Sequence, residues 1–158
     1  MIFIADLHIH SAYSRATSSQ CKLEKLAAWA NVKGIQLLGT GDFTHPKWFS
    51  EIKENLIESD NGFFKINKPS QLKLNDGLEV YNGDTYFVLT AEISNIYKKN
   101  GKTRKNHNLI LVPDIKTAEK INAVLSKIGN IQSDGRPILG LDTKNLLEIV
   151  LESSPYSF

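Results

Sequence analysis

A single cysteine, Cys21, stands among 158 residues. No internal disulfide can form, and no cysteine pair exists for a zinc knuckle or a redox couple. A reducing, cytoplasmic setting fits that usage. Net charge is also scarce: 19 Lys and Arg stand against 17 Asp and Glu, a formal +2. That balance permits a polyanionic partner without arguing for one. Long apolar runs are missing too. The opening Met1-Ile2-Phe3-Ile4-Ala5 meets Asp6 at once and has no basic flank, too short for a signal peptide or a membrane span. No membrane partner is expected. There is no glycine-rich dinucleotide fingerprint and no P-loop, hence no expected nucleotide cofactor. Nor is there an internal repeat or a low-complexity linker. What is present is an ordinary globular composition, 41% hydrophobic and 23% charged, on a length that supports one domain with a real core.

The order of local signals predicts an α/β chain. Residues 2–5 form a β-favouring apolar run that puts Asp6, Leu7 and His8 at a strand's C-terminal end. Leu23, Leu26, Ala27 and Ala30 recur at helical spacing, and Gly34 stops that helix. Residues 35–40 are a second buried-strand candidate ending in Gly41-Asp42, and Pro46 suits the first position of a helix to about Leu56. Residues 59–84 are less regular. Residues 86–90 read as a strong strand running into Ala91-Glu92-Ile93-Ser94. Ile96-Tyr97 and residues 109–112 flank a polar, basic connection from Lys98 to Asn108, which reads as a hairpin or two neighbouring strands. A helix over 117–128, a loop over 129–140 and an Asp142-capped helix over 143–152 complete the pattern. Strand–helix alternation of this kind points to parallel α/β units. It also leads one to expect a further strand after Pro155, so that the chain reads as a fragment.

The chemistry-bearing residues fall at strand ends or just beyond them. In His8-Ile9-His10 an extended backbone points both imidazoles to one side, where they can share a metal; alternatively one is a core residue and the other exposed. Asp42 is a ligand candidate or a helix N-cap, and His45 a ligand or a helix-entry residue. Gly39 and Gly41 allow close backbone approach at that strand end. Glu92 emerges from the most hydrophobic strand, and a carboxylate there needs a metal or an arginine. His107 follows a stretch with five basic residues in eight, Lys98, Lys99, Lys102, Arg104 and Lys105. That stretch is a solvated tip or a phosphate-contacting surface. In parallel α/β folds strand C-termini share one face, so these His, Asp and Glu residues form a mixed N/O set suited to zinc, manganese or iron. Two or more such ions close together suit phosphoester hydrolysis.

Two motifs resemble those of the PHP (polymerase and histidinol phosphatase) domain. Asp6-Leu7-His8-Ile9-His10-Ser11 is similar to its first motif, and Leu38-Gly39-Thr40-Gly41-Asp42 to its second, with Asp42 standing where a histidine is usual. Glu92 and His107 match the family's bridging glutamate and the histidine that follows it. Longer strings resemble endonuclease Q and its bacterial relatives: residues 39–48, residues 90–97, and Ser133-Asp134-Gly135-Arg136-Pro137-Ile138-Leu139-Gly140. The resemblance implies a distorted (β/α)7 barrel with up to three divalent metals, zinc and/or manganese or magnesium. It implies cleavage of DNA 5′ of deaminated bases or at abasic sites, in DNA repair. Residues 1–158 would then be the N-terminal part of a single PHP domain, truncated after roughly half the barrel and inactive alone. On this reading His8, His10, Glu92 and His107 are catalytic metal ligands, Asp42 and His45 hold a third metal, and Lys102, Arg104, Lys105 and Arg136 contact DNA. A PHP phosphatase acting on a small phosphomonoester and a non-catalytic, degenerate PHP module are the alternatives.

Overall fold

The computed structural model describes residues 2–74 and 77–158. In chain order its elements are β1 (Ala5–Asp6), α1 (Leu23–Val32), β2 (Leu37–Gly39), α2 (Pro46–Asn55), β3 (Leu56–Glu58), β4 (Phe64–Ile66), β5 (Gln71–Lys73) and β6 (Glu79–Tyr81). Then follow β7 (Tyr86–Lys99), β8 (Lys102–Val112), α3 (Ile115–Ile128), β9 (Ile138–Leu139) and α4 (Thr143–Ser153).

All four expected helices form, each with a local reason. His45 caps α2, with Pro46 at its first position. The Asp114 carboxylate accepts from Thr117 N at the start of α3, and Asp142 accepts from Lys144 N at the start of α4. Gly34, at φ +71°, follows the end of α1 in the left-handed conformation glycine tolerates.

The sheet is mixed. β1, β2 and β7 lie parallel and adjacent, as strand–helix alternation requires, with Asp6 beside Leu38 and Leu38 beside Phe87. β4 and β3 extend the sheet antiparallel on the other side of β7, and β5 and β6 form a separate hairpin. Three of these short strands, β4, β5 and β6, lie within residues 59–84, the less regular stretch, and β3 lies just before it. The first strand is shorter than its apolar run: only Ala5–Asp6 pair, and Ile2, Phe3 and Ile4 are exposed.

β7 and β8 form the expected hairpin, with longer strands than expected: most of Lys98 to Asn108 is itself paired, in an antiparallel ribbon running from Leu89↔Val112 out to Lys99↔Lys102. Its turn is only Asn100-Gly101, with φ of +53° and +72°, the pair of left-handed residues that a two-residue hairpin needs. One core gathers Leu23 and Ala27 of α1, Trp48 and Ile52 of α2, Phe87, Leu89 and Ile93 of β7, and Ile121 and Leu125 of α3. Among the described residues no helix is long and apolar enough to cross a membrane.

Candidate metal centre

Parallel pairing brings residues from three distant stretches to one end of the sheet. β7 runs on past its last pairing with β2, Gly39↔Val88, and Glu92 lies just beyond. Residues 7–10 continue from β1 across the end of β2, and two glycines make room for them. A Cβ on Gly39 would lie 2.6 Å from Leu7 O, and one on Gly41 would lie 2.4 Å from Ile9 O. The β2 end is itself clamped: Gly41 N donates to Thr90 Oγ1 at 2.9 Å, and the buried indole of Trp48 donates to Gly41 O at 2.8 Å.

The result is a compact group around Glu92, whose side chain is 3% exposed. His8 Nε2 and His10 Nε2 stand 3.1 and 3.0 Å from its Oε2, and His107 Nδ1 stands 2.5 Å from its Oε1. Burial alone would raise the carboxyl pKa of Glu92. Hydrogen bonds from His8 and His107 and the charge of Arg136 hold it below the ordinary range instead. Ligand atoms of His8, His10 and Glu92 all lie within 4.8 Å of one another, so these three could hold a metal ion. The donor set fits: two imidazoles that can present Nε2 and one ionised carboxylate. His107 sits on the other oxygen of the same carboxylate.

Asp42 takes a different place from the one its position suggested. Its carboxylate is fully buried and already surrounded by donors. Oδ1 is 2.9 Å from His10 Nδ1, while Oδ2 accepts from Ser11 N and Ser11 Oγ at 2.7 Å and from Ser14 Oγ at 2.9 Å. Despite burial, these hydrogen bonds keep Asp42 below the usual carboxylate range. The same contact with Asp42 raises His10, against the opposing effect of its own burial. Asp42 does not cap α2; its carboxylate is held by His10, Ser11 and Ser14 instead. Its contact with Nδ1 fixes the His10 ring with Nε2 beside Glu92, the carboxylate–histidine pairing that orients metal ligands. Ser11, Ser14 and Gly135 close this cage; Ser11 and Gly135 fall in the strings that carry the resemblance, but nothing in the sequence pointed to a role for any of the three.

His45 is not brought to the group. Its Nε2 donates to Gln132 O at 2.9 Å, its Nδ1 faces Trp48 N at 3.5 Å, and its ring stacks on Tyr13. Burial lowers its pKa, as a neutral capping imidazole requires. The helix-entry role is the one it fills. Arg136 Nη1 lies 3.7 Å from Glu92 Oε2, and Arg136, Arg15, Asp134, His10 and Ser14 line a small cleft beside the cluster. The ribbon register sorts the remaining basic residues, since directly opposed side chains share a face and successive ones alternate. Glu92, Ser94, Ile96 and Lys98 share one face with His107, Lys105 and Thr103. Asn95, Tyr97 and Lys99 share the other with Asn106, Arg104 and Lys102. Lys105 is therefore on the face of the cluster, while Lys102 and Arg104 are not.

With this geometry, comparison with known proteins becomes informative. The chain is similar to endonuclease Q. It matches the crystal structure of the lesion-specific endonuclease Q of Pyrococcus furiosus with a TM-score of 0.75 and 29% identity, covering 97% of this chain and 33% of that one. It matches endonuclease Q bound to a 27-mer duplex substrate, with an abasic lesion at the active site, with a TM-score of 0.74 and 30% identity, covering 96% and 33%. An uncharacterized protein of Methanocaldococcus jannaschii is 33% identical over 151 residues, which is 95% of this chain and 15% of that protein. No family model matches the sequence. The chain thus spans 33% of the length of the endonuclease Q chains it matches.

Proposed function

We propose that this chain carries the metal-binding centre of a DNA endonuclease that hydrolyses the phosphodiester on the 5′ side of deaminated bases or at abasic sites. The observation that supports it most is the gathering of His8, His10 and Glu92 ligand atoms within 4.8 Å on a chain similar to endonuclease Q. On this reading His8, His10 and Glu92 would hold one divalent ion, zinc, manganese or magnesium, and Glu92 with His107 would hold a second. Bound there, such ions supply Lewis-acid chemistry, activating water as the nucleophile and polarising the phosphoryl oxygens. Asp42 keeps the His10 ring turned and its Nδ1 protonated. Arg136 offers a fixed positive charge beside the reacting phosphate, where negative charge grows in the transition state. The basic ribbon supplies contacts to the DNA backbone.

The test is incubation of the full-length protein that carries this chain with manganese or magnesium and a labelled duplex carrying one deoxyinosine or one abasic site. A nick 5′ to the lesion is expected, abolished by chelator and reduced by more than about 100-fold in His8→Ala and Glu92→Gln. Undiminished cleavage in those variants would overturn the site. Release of inorganic phosphate from small phosphomonoesters, with the duplex left intact, would identify a phosphatase instead.

A further inference from the structure

The β7–β8 ribbon presents two chemically different faces, and only one continues from the metal-binding cluster. On that face Lys105 lies two residues from His107 along β8, a step of about 6.6 Å. Lys98 lies diagonally across from Lys105, two residues beyond Ile96, which is paired with Lys105 itself. Both lysines are exposed, and neither has a carboxylate partner among the described residues. Arg136 stands at the head of the same line, because the parallel pairing of Ser94 with Ile138 sets residue 136 beside Glu92.

The opposite face is committed to the fold. Asn95 Nδ2 donates to Leu141 O at 2.8 Å, Asn108 Nδ2 to Asn95 Oδ1 at 2.7 Å, and Asn106 Nδ2 to Thr143 Oγ1 at 3.1 Å. Lys99 Nζ is 2.7 Å from Asp142 Oδ2. This ladder of amides seats Asn95, Asn106 and Asn108 on residues 141–143; Lys102 and Arg104 lie further out on the same face, exposed and turned away from the cluster.

We propose that the DNA strand entering the metal centre runs along the ribbon face of Arg136, Lys105 and Lys98, with its phosphates on those cations, and that Lys102 and Arg104 lie off this track. The proposal rests on the endonuclease reading above and specifies which surface of it holds the polymer. Two exposed lysines in line with Arg136 and a phosphodiester-cleaving centre fit a chain of phosphates better than a single small anion, which Arg136 and the cluster alone could hold.

Two double variants remove the same charge from the same exposed ribbon: Lys98→Ala with Lys105→Ala, and Lys102→Ala with Arg104→Ala. Affinity for a lesion-bearing duplex is measured against salt, without divalent metal so that cleavage does not intervene. The first pair should reduce the slope of log K against log salt by about 2, and the second should leave it within about 0.5 of wild type. Lys98→Arg with Lys105→Arg should restore the slope. Equal losses in both pairs, or a larger loss in the second, would overturn the track while leaving the endonuclease reading intact. If wild type bound no duplex at all, both would fall.

Discussion

Asp42 sits in the left-handed region at φ +51°, a conformation that costs a non-glycine residue roughly 1–2 kcal/mol, although aspartate tolerates it better than most. The surrounding donors offset that strain, and they make the residue diagnostic. In Asp42→Asn an amide group must face either Ser11 N–H or the protonated Nδ1 of His10, donor against donor. We expect a loss of about 3 kcal/mol in stability and a 10–100-fold loss in metal affinity, measured by denaturation and by metal titration. The pH dependence has a definite sign. The folded carboxyl of Asp42 is held below its unfolded value of about 3.9, so its contribution is complete above that pH and fades as pH falls toward the folded value. The stability gap between wild type and Asp42→Asn should therefore narrow on acidification from pH 5 to pH 2. A constant gap would show that the charge of Asp42 is not what stabilises. Gly135 probes the same cage from outside, since a Cβ there would lie 2.3 Å from Asp42 Oδ2 and 2.4 Å from Ser14 Oγ. Gly135→Ala should weaken metal binding while far-UV circular dichroism stays native. In combination with Asp42→Asn its effect should be less than additive.

At the level of elements, the sequence was most legible where structure is decided locally. Helices α1 to α4 follow from apolar spacing, Pro46 and the cap Asp142, and their ends fall within two residues of expectation. β2 and β7 were legible because buried parallel strands read as plain apolar runs, whereas the apolar run before β1 stays exposed. The hairpin was legible but the length of its strands was not, because exposed strands such as Lys102–His107 need no apolar alternation. The same division holds at the site. His8, His10, Glu92 and His107 stood out by residue type and strand-end position. Asp42 as an orienter and His45 as a cap depend on Ser11, Ser14, Gly135 and Gln132, contacts that no local pattern contains. The ribbon is also where an element can be tested alone. Gly101, at φ +72° with open space around it, should lose about 1 kcal/mol of local stability on substitution by Val. Amide exchange should then accelerate over residues 102–106 while α1 and β2 keep their protection. Uniform acceleration would mean that the ribbon is no separate unit.

On the scale of the whole molecule, the cluster joins residue 8 to residue 107, so its geometry exists only in the folded chain. Every ligand pair beyond His8 and His10 is separated by at least 15 residues, and the unfolded chain cannot gather them without a large loss of conformational entropy. A cation that binds here must therefore stabilise the fold, and by a calculable amount. At a free metal concentration 100-fold above the dissociation constant the gain is about 2.7 kcal/mol. For a chain of this size that corresponds to a rise in Tm of roughly 5–11 °C. Thermal unfolding with and without manganese or zinc should show that shift, reversed by chelator. It should be absent in Glu92→Gln, where the oxygen approached by both His8 and His10 loses its charge, and it should survive in the double variant of Lys98 and Lys105, which lie outside the cluster. A shift retained in Glu92→Gln would place the bound ion elsewhere on the chain, because no other described group of three such side chains brings its ligand atoms this close together.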